Sequence, residues 1–316
     1  MRRLMVSALA AAAACFSAPA WRAAPAASSA QAAAPLPERL TVESDGHPMV
    51  VWARRPPQAR RSALLVHGRT WSSRPDFDLQ VPGLQRSVLL SLAAQGVAAY
   101  AVDLRGYGET PRDASGWLTP RQSATDVLAV LRWVTRQHPG LPRPALIGWS
   151  RGAAVAMLAA QQAAERPSAL VLFGFAFDPD LDFADVTVPD KPAMTRNTAA
   201  SALSDFISPP VTPSAVVKAF VAQALRADPV LADLRNDAEF NELDPTRVLT
   251  PTLVLYGERD PGVLHEDAGK FFARLGTPDR QLVVLAGGDH AAQLEDTHDA
   301  WVAAVVNFLS RPLVKR

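Results

Sequence analysis

Past Pro57, short apolar runs alternate with longer stretches whose apolar residues recur every three or four positions. Runs that admit no polar residue on either face are what strands of a buried parallel sheet show, and recurrence at three and four marks helices with one apolar stripe. The strands expected are Ser62 to Val66, Val97 to Val102, Ala145 to Gly148, Ala169 to Phe175, Thr252 to Tyr256 and Gln281 to Leu285. The helices expected between and after them are Leu84 to Ala94, Ala124 to Thr135, Ala153 to Glu165, Val263 to Leu275 and Asp299 to Leu309. Ahead of them, Arg39 to Arg54 reads as a hairpin, with LTVES and MVVWA on either side of the turn dipeptide Asp45-Gly46. The expected fold class is therefore α/β, a mostly parallel central sheet flanked by helices.

One interval breaks the alternation. Asp178 to Arg247 carries Pro179, Pro189, Pro192, Pro209, Pro210, Pro213, Pro229 and Pro245 around short helical pieces such as Ala215 to Arg226. A structureless loop of that length is foreign to a compact domain, so the interval is expected to be a small, mostly helical cap inserted before the penultimate strand. The core then divides into a first part, 39–177, and a second, 248–316, with the cap at 178–247. Such an insertion sits over the carboxyl ends of the strands, where open α/β sheets bind ligands.

The N-terminus follows neither pattern. Arg2 and Arg3, the apolar run Leu4 to Phe16 and the small residues Ala18-Pro19-Ala20 before Trp21 read as a signal peptide over 1–20, too short for a permanent bilayer anchor. A twin-arginine or lipoprotein export signal is the alternative. Residues 21–38, mostly Ala, Pro, Ser and Gln, read as a flexible leader. The mature protein is thus expected to be periplasmic or secreted, without stable membrane insertion. Cys15 is the only cysteine and would leave with the signal. Basic and acidic residues are interspersed and number 32 and 31, a formal charge of +1, so there is no electrostatic footprint for nucleic acid and the expected partner is a small-molecule substrate. Nothing in the sequence fixes the oligomeric state.

The candidate chemistry centres on Gly148-Trp149-Ser150-Arg151-Gly152, placed between a strand and a helix. A serine in so sharp a turn needs neighbours without Cβ atoms, and the following helix aims its free N–H groups at the space beside the hydroxyl. Ser150 is the candidate nucleophile. It needs a base and an acid to orient that base. His290, in the loop GGDHAAQLED after the last strand, is the candidate base. Asp260, in YGERDPGV, is the candidate acid, with Asp178 the competing one. His298, near the final helix, is expected at the surface. The N–H groups of Arg69, in the loop His67-Gly68-Arg69-Thr70, and of Arg151 are the candidate oxyanion hole, with Thr70 the alternative to Arg69. His67 is expected to brace its loop. Trp71 and Trp149 adjoin these residues and are the candidate substrate-binding aromatics. With no H-E-x-x-H pattern and no glycine-rich phosphate loop, no metal and no cofactor is implied.

In order and context these motifs resemble the α/β-hydrolase fold superfamily: HGRTW after one strand, DLRGYGET after the next, the elbow GWSRG, an insertion, then GERD and GGDH. The likeness runs from Arg39 to the C-terminus and is least specific in the cap. It implies a structural role for Asp103 to Thr110. Because the elbow carries a serine where epoxide- and halide-displacing relatives carry a carboxylate, it also implies acyl transfer to water. The expected activity is hydrolysis of carboxylic esters of a small hydrophobic or aromatic substrate through an acyl-enzyme. Aminopeptidase, amidase or lactonase activity on the same residues is the alternative, and a non-catalytic ligand-binding protein is the alternative of another class.

Overall fold

The computed structural model describes residues 35–184, 188–208 and 211–312, so the expected signal peptide and most of the expected leader lie outside the described residues. A hairpin of β1 (Glu38–Ser44) and β2 (His47–Arg54) turns through Asp45 and Gly46, both at positive φ. Next come β3 (Arg61–Val66), α1 (Ser73–Phe77), the ribbon of β4 (Leu79–Val81) and β5 (Leu84–Arg86), and α2 (Val88–Ala94). β6 (Val97–Val102), β7 (Trp117–Leu118), α3 (Pro120–Gln137), β8 (Ala145–Trp149), α4 (Arg151–Gln162) and β9 (Leu170–Phe173) follow. The interval after β9 holds α5 (Ala199–Leu203), α6 (Ser214–Ala227), β10 (Asp233–Leu234) and 3₁₀ turns at Asp237–Glu242 and Pro245–Arg247. β11 (Thr252–Gly257), α7 (His265–Arg274), β12 (Arg280–Leu285) and α8 (His298–Ser310) complete the chain.

Eight strands form one sheet in the order β1-β2-β6-β3-β8-β9-β11-β12, antiparallel at β1–β2 and β2–β6 and parallel from β6 onward. From β3 the chain winds first toward β6 and then back to β8, so the order reverses between β3 and β8. A crevice opens at such a switch point, beyond the carboxyl ends of the strands. The loop after β3 begins His67-Gly68-Arg69 and the turn after β8 is Ser150.

Side chains of successive strand residues point to opposite faces. On one face Leu64, Val66 and Leu146 pack with Val127, Val130 and Val134 of α3 and with the small residues of α4. On the other Ala63, Leu65 and Ile147 pack with Leu89 and Leu92 of α2 and with Trp301, Val305 and Phe308 of α8. Residues Gly152 to Ala160 of α4 are all buried. A helix of alanines lies close against the sheet, which holds its N-terminus tight beneath Ser150.

Two local expectations are corrected. Leu84 to Ala94 is not one helix: Pro82-Gly83, with Gly83 at φ 75°, turns the chain so that Leu84–Arg86 pairs with Leu79–Val81, and α2 starts only at Val88. Proline followed by a residue of positive φ is the signature of a type II turn. α3 begins four residues before the expected Ala124, because the Thr119 hydroxyl accepts from Gln122 N–H and Pro120 occupies the first turn, where its missing N–H costs nothing.

Candidate active site

The turn at Ser150 is set by its glycines. A Cβ on Gly148 would lie 2.6 Å from Ala153 Cα, and one on Gly152 would overlap the carbonyl oxygens of Val66 and His67 and lie 2.9 Å from the Val66 carbonyl carbon. Helix α4 can therefore approach the end of β3 only because both positions lack side chains. Ser150 itself sits at φ 56°, ψ −124°, and its N–H donates to Phe173 O at 2.8 Å. Such a conformation costs about 1–3 kcal/mol for a residue with a Cβ and persists where the surrounding packing imposes it. The hydroxyl caps no helix N–H. It is left for chemistry.

His290 lies beside the same strand end. A Cβ on Gly174, the residue after Phe173, would meet its Cε1 and Nδ1 at 3.3 Å. Trp149 Nε1 donates to His290 O at 2.9 Å, and the Trp149 ring stacks on Phe173. His290 Nδ1 is 2.8 Å from Asp260 Oδ2, and Asp260 Oδ1 accepts the Gly262 N–H at 2.9 Å. Asp178 instead pairs with Lys270 Nζ at 3.3 Å. Burial alone would lower the His290 pKa, but the hydrogen bond and charge of Asp260, with the negative charges of Asp205 and Asp289, raise it above the ordinary 6.5.

The loop after β3 is held at each of its peptide groups. Gly68 N–H donates to Asp76 Oδ2 at 3.2 Å, His67 Nδ1–H donates to Gly68 O at 2.9 Å, and the Tyr107 hydroxyl donates to Arg69 O. His67 Nε2 accepts the Leu104 N–H at 3.1 Å, which fixes the tautomer, and burial lowers its pKa to about 4. Fixing the Gly68 carbonyl also fixes the Arg69 N–H, because the two point in opposite directions across one trans peptide. The Arg69 side chain is exposed and forms no ion pair among the described residues. The Arg151 side chain reaches the opposite way, its Nη2 2.8 Å from Asp237 Oδ1 and its guanidinium over the Phe240 ring.

Carboxylates that no periodicity marks complete the surroundings. Asp103 is buried and accepts from Trp52 Nε1, Ser73 N–H and Glu109 N–H; burial raises its pKa to about 7. Asp228, after α6, accepts the Ser72 N–H and hydroxyl at 2.8 Å each and the Gly108 N–H at 2.7 Å. It joins the inserted segment to both core loops. Trp71 is 1 % exposed, with its edge against Phe220 of α6. Trp149, the other candidate substrate-binding aromatic, is 3 % exposed and braces the His290 loop through its indole N–H. An open cleft of about 300 Å³ beside the Asp260 loop is lined by Phe175, Phe177, Pro261 and Val263. His298, expected at the surface, is fully buried, with Nε2 bonded to Ser91 Oγ and Nδ1 to Gln293 O. Among the described residues no group of three His, Cys, Asp or Glu side chains is placed to hold a metal, and no helix is long and apolar enough to cross a membrane.

The profile of the family described as serine aminopeptidase, S33, matches residues 57–297. Among solved structures, the chain is similar to a serine hydrolase involved in carbazole degradation (CarC enzyme), at 19% identity and TM-score 0.60 over 87% of this chain and 99% of that one. It is similar to the thioesterase domain from the curacin biosynthetic pathway, at 19% identity and TM-score 0.59 over 87% and 99%. A thermophilic esterase from Thermogutta terrifontis matches at 19% identity and TM-score 0.59 over 86% and 98%. A search of curated protein sequences found no match.

Proposed function

This chain belongs to the serine aminopeptidase S33 family and is a serine hydrolase of the α/β class, and from that premise we propose that it cleaves carboxylic esters of small hydrophobic or aromatic substrates. Ser150 Oγ attacks the ester carbonyl while His290 Nε2 takes its proton, and Asp260 holds Nδ1–H and stabilises the imidazolium. The Arg69 and Arg151 N–H groups stabilise the tetrahedral oxyanion. His290 then gives the proton to the leaving alcohol, and a water activated by the same nitrogen releases the acid from Ser150. The observation that carries this reading is the 2.8 Å contact of Asp260 with His290 beside a serine held at positive φ. Amide cleavage next to a free amine is the second reading, favoured by Asp205, a carboxylate of the inserted segment whose negative charge acts on His290.

The test is pre-steady-state turnover of p-nitrophenyl esters of increasing acyl length. A burst of p-nitrophenolate equal to the enzyme concentration, followed by slower turnover, is the signature of an acyl-enzyme. Inactivity on every ester, with turnover of free-amine anilides, would favour the second reading.

A pH prediction follows from the charges around His290. The base works only when neutral, so kcat/KM is expected to rise with pH through a pKa above 6.5. Removing the negative charge of Asp205 in Asp205→Asn is expected to move that limb to lower pH. An unchanged limb in the variant would contradict the electrostatic account.

We also infer export across the inner membrane, on the strength of Arg2-Arg3, the apolar run and Ala18-Pro19-Ala20. Mature protein beginning at Trp21 is the expected result of N-terminal sequencing, and an intact Met1 in the purified cellular protein would refute it.

A further inference from the structure

Two acids that the triad does not use hold the turn that carries His290. Asp289 and Glu295 are fully buried. Glu295 Oε2 accepts the Asp289 N–H at 2.8 Å, Asp289 Oδ1 accepts the His290 N–H at 2.6 Å, and the Ala291 N–H also favours the charged form of Glu295. Three consecutive peptide N–H groups, centred on the base, thus meet two carboxylates. An ionised acceptor makes each such bond about twice as strong as a neutral one does. Glu295 is itself fixed at the start of α8: its carbonyl accepts the His298 N–H at 3.1 Å, and His298 Nδ1–H donates to Gln293 O at 2.6 Å. The place of His290 is therefore referred to α8 through Glu295, as it is to β8 through the Trp149 indole.

We propose that Glu295 is a positioning residue of the hydrolytic reaction: its ionised carboxylate holds the peptide groups around His290, protonation slackens them, and the base is presented to Ser150 only when His290 and Glu295 are both deprotonated. The role rests on the ester hydrolysis proposed above, in which His290 is the base. Among the described residues neither Glu295 nor Asp289 pairs with a lysine or arginine, and Glu295 Oε1 and Asp289 Oδ2 have no hydrogen-bond partner. The charges that act on Glu295 are those of Asp289 and His290; Arg86, of β5, and Asp299, of α8, act on His298, whose own pKa burial lowers. Burial and the Asp289 charge push the Glu295 carboxyl up to about 7, against the two N–H groups and a positive His290. Glu295 therefore gains and loses its proton in the range where the base does. By reciprocity, its ionised form favours the imidazolium that arises as Ser150 attacks. Both groups work deprotonated, so both belong to the acid limb of the pH profile.

The experiment joins the pH dependence of p-nitrophenyl ester turnover to a proton NMR titration of the His290 ring, its resonance assigned by its loss in His290→Gln. In the wild type, log kcat/KM is expected to climb with a slope approaching two on the acid side, and the ring resonance to show two inflections. Glu295→Gln keeps the shape and an acceptor oxygen but not the charge. It is expected to lower kcat about tenfold with KM unchanged, the mark of a base held less well, and to leave a slope of one and a single inflection. Asp289→Asn keeps an acceptor for the His290 N–H and removes a like charge, so both inflections should move to lower pH. A merely structural Glu295 would leave the number of protons on the limb as it was. A wild-type limb of slope one with a single inflection would overturn the proposal. So would wild-type kcat in a folded Glu295→Gln, checked by a circular dichroism melt, or a slope of two that survives in it. If Glu295→Gln does not fold, the titrations of the wild type and Asp289→Asn decide. If the wild type turns over no ester, the proposed activity fails, while the ring titration still shows whether Glu295 governs His290.

Discussion

Ser150→Ala is expected to lower kcat by about a millionfold, the loss typical of removing the nucleophile from such a triad, while leaving the melting midpoint where it is. The two halves of the result come from different features of one residue. The hydroxyl makes no capping bond to α4, so its removal leaves no helix N–H without a partner that it had before. The backbone strain at φ 56° belongs to any residue with a Cβ and is the same for alanine. Ser150→Gly should separate the terms further: equally inactive, yet more stable than the wild type by about 1–3 kcal/mol, as the left-handed conformation ceases to cost. Turnover is followed with p-nitrophenyl esters and stability by thermal unfolding. An alanine variant that keeps a hundredth of the wild-type kcat would place the nucleophile elsewhere.

Gly152→Ala is the second large effect. Its methyl group would press on the carbonyls of Val66 and His67, which are the end of β3 and the root of the loop that follows it, and neither can move without dragging the sheet. Overpacking costs about 1–3 kcal/mol, and contacts this short against backbone fall at the upper end. The helix instead shifts away, and a displacement of about 1 Å at the reacting groups lowers kcat by about a hundredfold. The expected variant is folded, melts earlier and is slow. A variant with wild-type midpoint and kcat would show that the α4–β3 contact is looser than the geometry implies.

The legibility of this chain follows from where each interaction is encoded. Strands buried on both faces announce themselves in a few consecutive residues, and the sheet order carries Ser150 and the His67 loop to the same crevice once strand and helix alternate. Turn chemistry is equally local: Pro82-Gly83 held the signal that splits Leu84 to Ala94, and Thr119-Pro120 the signal that starts α3 early. What the sequence does not carry is pairing across the fold. Asp178 and Asp260 both follow strands and are equivalent along the chain; they differ because Lys270, on α7, takes the first while His290 meets the second. His298 is buried through Ser91, a partner 207 residues away. Asp76, Asp228 and Tyr107 hold the loop after β3 through its backbone N–H and carbonyl groups, and a backbone donor or acceptor has no residue type to search for.

The three hydrogen bonds of Asp228 set a condition on rebuilding this enzyme. Families of this kind invite the grafting of one cap onto another's core to move substrate range, with the strands treated as a fixed socket. Here the socket is finished by the plug: Ser72 and Gly108, on two core loops, have their N–H groups satisfied by a side chain that would leave with the graft. A chimaera must bring an acceptor of the same reach. Otherwise the new specificity arrives on a scaffold whose loop beside Ser150 has lost a stay.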